Sequence, residues 1–337
     1  MRPQIYSFIL FSFLSLFFGC YKSTHIKPYP VTHLSMASQG PKDLSYTTAG
    51  ILGQVFNKKS KTHHLKITIE PLLNSFHTIQ SVMKGETQFG IVGADKQYEA
   101  YTGIGDWEKI GSQKNLRSIF SLYDKPLTLL TTLKTRIKDI GDLKSKKVAL
   151  GEKESPLLRH VRNVLNLYNI QESEFQSHFF PNNEVSGKLQ DEVVDAFFHI
   201  GHQPSNVIRN LSNKGRLKYK MLSFNGPEFE TFVENHPYYT KSKIPKNLYP
   251  NLTNNSDIDS LGIKTTLVTS SKIPDHVVYY LTKELFENME LLKSHFAPYS
   301  NLNEEDLFKG LSVPLHPGAI KYLKENGLLE FVDKKLI

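Results

Sequence analysis

The side chains with most chemistry to offer are one cysteine and a scatter of histidines, serines and carboxylates, and their spacing excludes more than it allows. Cys20 is the only cysteine of the 337-residue chain, so an internal disulfide is ruled out and a cysteine-built metal site has too few ligands. His63-His64 is the only adjacent histidine pair, with no acidic or cysteine neighbour at ligand spacing. That pattern predicts exposed strand-edge residues rather than a metal centre. The sequence contains no G-x-S-x-G, no G-x-x-x-x-G-K-[ST], no G-x-G-x-x-G and no H-E-x-x-H, so nucleophile-elbow, P-loop, dinucleotide and zincin chemistry lack their motifs. The expectation is a protein that is not an enzyme, with no cofactor and no metal.

What Cys20 can do depends on what precedes it. Arg2 is the only charge before an apolar run from Ile5 to Phe18, closed by Gly19-Cys20. The run is short of the ~20 apolar residues that span a bilayer, and a basic start, apolar core and small residue before a cut describe a secretory signal. Leu16-Phe17-Phe18-Gly19-Cys20 looks like a bacterial lipoprotein cleavage box, with Phe17 where leucine is usual. Residues 1–19 therefore read as a signal peptide, Cys20 as the lipidation site, and 20–30 as a lipidated N-terminus and tether. The alternative is a plain secretory signal with an incidental cysteine. Lipidation would hold the protein to a membrane at the periplasm or outer cell surface.

Lysine and arginine outnumber acids 41 to 33, but the basic residues are dispersed, as a solvated surface has them, and no nucleic-acid role is expected. Short apolar segments (65–70, 89–93, 126–133, 147–150, 196–200) alternate with helix-length amphipathic ones such as 76–83. After Pro274, residues Val277, Val278, Leu281, Leu285 and Met289 recur at helical spacing. Alternation of this kind predicts an α/β fold with mostly parallel strands.

In order along the chain, several segments resemble one family from about residue 33 to 330. Val313-Pro314-Leu315-His316-Pro317-Gly318-Ala319 through Tyr322 and Glu325 is similar to its P-L-H-P-G-A-x-x-Y-x-x-E block. Leu122-Tyr123-Asp124-Lys125-Pro126, Ile137–Gly141, Asp195-Ala196-Phe197-Phe198 with Gly201-His202-Gln203-Pro204, and Tyr238-Tyr239 with Ile244-Pro245 and Tyr249-Pro250 match further blocks. The family is TAXI, the solute-binding subunits of one class of TRAP transporters. The resemblance implies a two-lobed type II periplasmic-binding-protein fold with a ligand cleft between lobes. Lobe one would hold 27–125 and 262–337, and lobe two 126–261, with crossings near Tyr123–Leu127 and Leu261–Lys264. It also implies a small-molecule ligand, usually a small dicarboxylate or acidic amino acid, and TRAP-type membrane subunits as partners. A second reading keeps the fold and anchor but makes the protein a transporter-independent sensory or surface interaction module.

Three loops that cradle ligand in the family are altered here. Gly40–Gly50 keeps its outer glycines but carries Asp43-Leu44 where a glycine pair is usual. Leu73–Thr78 keeps Ser75 and has Thr78 for asparagine. Gly151–Pro156 keeps Ser155, with Glu152 and Glu154 added. The residues this implies for ligand contact are Gly40, Ser45, Tyr46, Thr47, Asn74, Ser75, Thr78, Ala94, Asp95, Ser155, His202 and Gln203. Asp95 either touches ligand or caps a helix. His316 reads as a packing residue and Trp107 as a surface or lobe-edge aromatic. The lost glycines and added acids suggest a cradle that no longer takes the family's usual ligands in the usual way.

Overall fold

Among the described residues ten strands form, several of them from apolar runs bounded by turn residues and charge: β1 Thr32–Ser38, β2 Leu65–Pro71, β3 Phe89–Gly93, β4 Leu116–Thr132, β5 Lys147–Ala149, β6 Gln176–His178, β7 Ala196–Ile200, β8 Tyr219–Leu222, β9 Tyr239–Ile244 and β10 Ile258–Ser270. Between them lie α1 Leu44–Asn57, α2 Ser60–His63, α3 Ser75–Lys84, α4 Ala94–Thr102, α5 Pro156–Leu167, α6 Asn182–Gln190, α7 Asn206–Ser212, α8 Pro227–Asn235, α9 Asp275–Glu287, α10 Met289–His295 and α11 Pro317–Glu325. This computed structural model describes residues 32–212, 217–250, 252–295 and 302–337. The signal peptide, Cys20 and the tether expected from the sequence lie outside the described residues.

All ten strands join one sheet, ordered β2-β1-β3-β10-β4-β7-β5-β6, with β8 on β4 and β9 on β10. Parallel pairing is confined to the two ends, β2-β1-β3 and β6-β5-β7. The long central strands β4 and β10 run antiparallel to each other and to every other strand they pair with. The alternation predicts mostly parallel strands, whereas parallel pairing holds only where helical crossovers connect neighbours.

The segment 126–133, which reads as a strand of its own, is the second half of β4. Pro126 lacks an N–H to donate, but its fixed φ suits extended backbone and it faces Gly262 across the ladder. Both long strands change partners along their length. β10 pairs with β3 over Thr265–Thr269 and with β9 over Ile258–Ile263, and its register against β4 shifts between Lys264 and Thr266. The bulge re-aims side chains where the strand passes from one end of the sheet to the other.

Apolar cores form on both faces at each end. At the β1–β3 end, Leu52 and Phe56 of α1, Val278 and Leu281 of α9 and Leu323 of α11 cover one face. Ile79 of α3, Ala100 of α4 and Trp107 cover the other. At the β5–β7 end, Val161 and Val164 of α5 pack with Leu129 and Phe198, while Leu189 of α6 and Ile208 of α7 pack with Leu130 and Phe197. Adjacent strand residues thus serve opposite cores, as the two-residue period requires.

Two expectations are corrected here. Trp107 is 1% exposed and packs its ring 4.9 Å from that of Phe76, because a short 3-10 turn folds it inward under α3. His63 is buried rather than an edge decoration: it stacks 4.4 Å from Phe56 and sets Nε2 3.2 Å from the Phe56 carbonyl. Burial, chiefly, lowers its pKa.

Candidate ligand-binding cleft

The N-termini of α1, α3, α4 and α5 converge on one cleft of about 800 Å³, floored by the middles of β4 and β10. The local sequence explains why these helices start there. Asp43 is the N-cap of α1, its Oδ1 accepting the Ser45 N–H at 2.8 Å. Asn74 caps α3 by accepting from the His77 N–H at 3.1 Å. Ser155 is the N-cap of α5 with Pro156 in the first turn, where proline forfeits no hydrogen bond. Its Oγ donates to the Glu152 carbonyl at 2.8 Å instead of capping. Gly151 is required in this loop: its φ is +90°, and a Cβ there would stand 2.7 Å from Leu157 Cδ2.

Of the residues implied by the resemblance, Asn74, Ser75, Asp95, Ser155 and His202 line this cleft. Ser75 Oγ accepts the Gly93 N–H at 3.3 Å. Ser45, Thr78 and Ala94 are buried in the fold behind the cleft wall, and Gly40, Tyr46 and Thr47 do not line it. Thr78 Oγ1 donates to the Asn74 carbonyl at 3.1 Å and Ser45 Oγ accepts the Gln39 N–H at 3.2 Å. Gln203 faces a smaller cavity of about 340 Å³ behind the central strands, where its Oε1 accepts from the Tyr249 hydroxyl.

Asp95 neither caps α4 nor stands free. Gly93 is the N-cap, and the Asp95 carboxylate reaches across to α5, accepting from Arg159 Nη2 at 2.7 Å and facing His160 Nε2 at 3.3 Å. Arg159 also engages Glu99, while Lys96 bonds Glu99 at 3.0 Å and Asp106 at 2.6 Å. His160 Nδ1 lies 2.8 Å from the Tyr239 hydroxyl, which accepts from Asn163 at 2.9 Å. Burial opposes ionisation of Asp95, but the hydrogen bond to His160 and the charges around it hold its pKa well below the ordinary carboxylate range. Burial likewise pushes the Tyr239 phenol well above its usual value.

A second polar group sits on the wall nearest β7. Ser205 Oγ is 2.9 Å from His199 Nε2, and His199 Nδ1 is 3.3 Å from Asn182 Oδ1. Burial, helped by the charge of His202, lowers the His199 pKa to about 4, so the neutral ring accepts from Ser205 and donates to Asn182. The residue types resemble a nucleophile, base and orienting group. However, the Ser205 N–H, the kind of donor an acyl-transfer site aims at its oxyanion, is given to the Tyr249 hydroxyl at 2.5 Å. What this group offers is neutral hydrogen bonding.

At the floor, Lys264 is 4% exposed and lies 3.6 Å from Asp124, which also accepts from Thr240 Oγ1 at 3.1 Å. Lys125 lines the cleft half-buried. Burial opposes ionisation of Asp43, but Lys125, the Ser45 hydrogen bonds and His202 together lower its pKa. Burial and Lys125 lower that of His202. Glu154 lines the rim and is exposed, and Glu152 is exposed outside it. Arg159, His160, His199, Ser205, Lys125 and Lys264 were not singled out from the sequence. The one signal available was charge inside apolar strand segments, at Lys125 and Lys264.

Residues 36–327 match the model of the NMT1-like family. The chain belongs to the NMT1-like family. Among solved structures it is similar to the periplasmic sulfonate-binding protein SsuA of Methylobacillus flagellatus KT, with a TM-score of 0.57 and 14% identity over 90% of this chain and 97% of that one. At that identity the likeness is one of fold. The α/β periplasmic-binding-protein fold expected from the sequence is therefore the fold of this NMT1-like chain. The periplasmic aliphatic sulphonate binding protein SsuA of Escherichia coli aligns over 89% of this chain and 77% of that one, at 13% identity and a TM-score of 0.41, too low to argue from. Among curated proteins, peptide chain release factor subunit 1 of Aeropyrum pernix is 26% identical over 155 residues. The chain spans about two-fifths of that protein's length (39%), which does not establish kinship.

Proposed function

We propose that this NMT1-like chain is an exported, lipid-anchored solute receptor of the TAXI type, which captures a small molecule between two lobes and presents it to a TRAP-type membrane transporter. The lobes are residues 27–125 with 262–337, and residues 126–261, and Cys20 is the lipid-bearing residue. The observation that carries the reading is the cleft of about 800 Å³, walled by helix N-termini from both ends of the sheet and floored by β4 and β10 as they pass between those ends. Such a site, at the carboxyl ends of parallel strands, is where open α/β sheets take ligands. Hinge closure about it gives a membrane partner a shape to sense. The sulfonate-binding protein with this fold is consistent with a receptor role and leaves the ligand open.

The test is a thermal-shift screen of the full chain against carboxylates, amino acids, sulfonates and polyamines, paired with membrane fractionation of wild type and Cys20→Ser. A true ligand at 100 times its Kd raises stability by about 2.7 kcal/mol, and Cys20→Ser moves the protein into the soluble fraction. Silence from every ligand class would sink the receptor reading. A Cys20→Ser variant still held at the membrane would sink the anchor alone.

A further inference from the structure

Nine charged residues line the cleft: Lys42, Lys96, Lys125, Arg159 and Lys264 against Asp43, Asp95, Asp106 and Glu154. Most are already committed. Asp95, Arg159, Lys96 and Asp106 are tied into the network joining α4 to α5, and Lys264 faces Asp124. Lys42 and Glu154 are exposed at the rim. That leaves one carboxylate and one ammonium, the half-buried Asp43 and Lys125, without a salt-bridge partner among the described residues; the Lys125 ammonium lies 6.0 Å from the centre of the Tyr123 ring. Asp43, Lys125 and His202 all line this one cleft.

Asp43 has a further consequence. A helix N-terminus attracts anions, but at α1 that place is filled by the chain's own carboxylate, whose Oδ1 takes the Ser45 N–H. A ligand carboxylate arriving there meets a like charge. An ammonium group meets the remaining acceptor capacity of Asp43. Across the cleft, Ser205, His199 and Asn182 supply uncharged donors and acceptors.

Resting on the solute-receptor reading, we infer that the cleft takes a small zwitterion with no second negative charge: its ammonium against Asp43, its carboxylate against Lys125, and an uncharged polar end toward Ser205 and His199. Two half-buried opposite charges match such a ligand, each meeting its counter-charge, whereas a dicarboxylate brings two negative charges to one cation outside any ion pair.

The experiment is calorimetric titration of the full chain at pH 7.5 with glutamine, serine, γ-aminobutyrate, glutamate, succinate and putrescine, on wild type, Asp43→Asn and Lys125→Gln. Asparagine caps helices as well as aspartate does, so Asp43→Asn keeps α1 and removes the charge; an unchanged melting temperature verifies this. The expected result is saturable binding of glutamine or serine, none of succinate, and tenfold or greater weakening in each variant. Succinate binding as tightly as any zwitterion overturns the inference and leaves the receptor reading standing. So does zwitterion binding that is indifferent to Asp43→Asn. Silence from all six probes overturns the inference. If the wider carboxylate and sulfonate screen is silent too, the receptor reading falls with it.

Discussion

Replacing Asp95 with asparagine tests whether the α4–α5 network holds the two sides of the cleft together. The substitution keeps the side-chain volume of a residue 7% exposed and removes the charge that faces Arg159 and His160. The two partners count differently. The Arg159 side chain is 38% exposed, so its bond is discounted to the ~0.5–1 kcal/mol of a solvent-screened pair. The His160 side chain is 3% exposed, and a buried hydrogen bond to a charged group contributes about 1.5–3 kcal/mol. Together they give about 3 kcal/mol, or a fall in melting temperature of roughly 4–5 °C for a chain of this size. The assay is calorimetric melting of both proteins from pH 7 to pH 3, with scattering at pH 7 to follow the radius of gyration. Because the folded pKa of Asp95 is depressed, its contribution is complete above the unfolded value of about 3.9 and is lost as pH falls toward the folded pKa. The gap between the proteins should therefore hold from pH 7 to 5 and narrow below about pH 4, while the variant shows the larger radius at pH 7. A gap under 1 °C at pH 7, or one that widens on acidification, would refute the energetic account. An unchanged radius would refute the role in closing the cleft.

Two further outcomes follow from single positions. A Cβ on Gly318 would stand 2.2 Å from the Asp275 carbonyl oxygen and 3.0 Å from the Tyr279 nitrogen, so Gly318→Ala forces α11 off α9 and should cost about 3 kcal/mol, read as a lower urea midpoint. A midpoint equal to wild type would mean the helices part freely. For His199, the drop from 6.5 to about 4 amounts to about 3 kcal/mol at 1.36 per pH unit. A depressed pKa makes that stability present above pH 6.5 and lost as pH falls through about 4. Between those values His199→Gln should therefore lose less stability than wild type, and parallel pH profiles would exclude His199 as the group responsible.

The fold was legible because its signals are local. The runs Leu65–Glu70, Phe89–Gly93 and Ala196–Ile200 carry strand chemistry between turn residues, and Pro274 marks a helix start that the structure places within one residue. The apolar segments read as strands do not include β1, β6, β8, β9 or β10, and β4 reads as starting at Pro126 because a proline inside an apolar run ordinarily demotes it. Only the pairing with β10, more than 130 residues away in sequence, shows that the strand continues. His63 and Trp107 were misplaced for the same reason: polar or charged neighbours argue exposure, while the covering surfaces, Tyr280 of α9 for one and Phe76 of α3 for the other, come from elsewhere in the chain.

The cleft was legible in outline and not in its charges, and the reason is combinatorial. Asn74, Ser75 and Ser155 reach the wall because a capping residue must stand at a helix start, and helix starts line this cleft. Whether a charge in that wall is available is decided by its partner, and partners cannot be read locally. Asp95 is 64 residues from Arg159, Asp124 is 116 from Thr240, and both carboxylates are spent on those distant groups. Asp43 is the opposite case. Its nearest partner is its own helix, two residues on, yet only the fold shows that this cap lines the same cleft as Lys125. A cleft lined by nine charges thus presents two in its interior, and those two, rather than the net +8 of the chain, set which ligand charge it can accept.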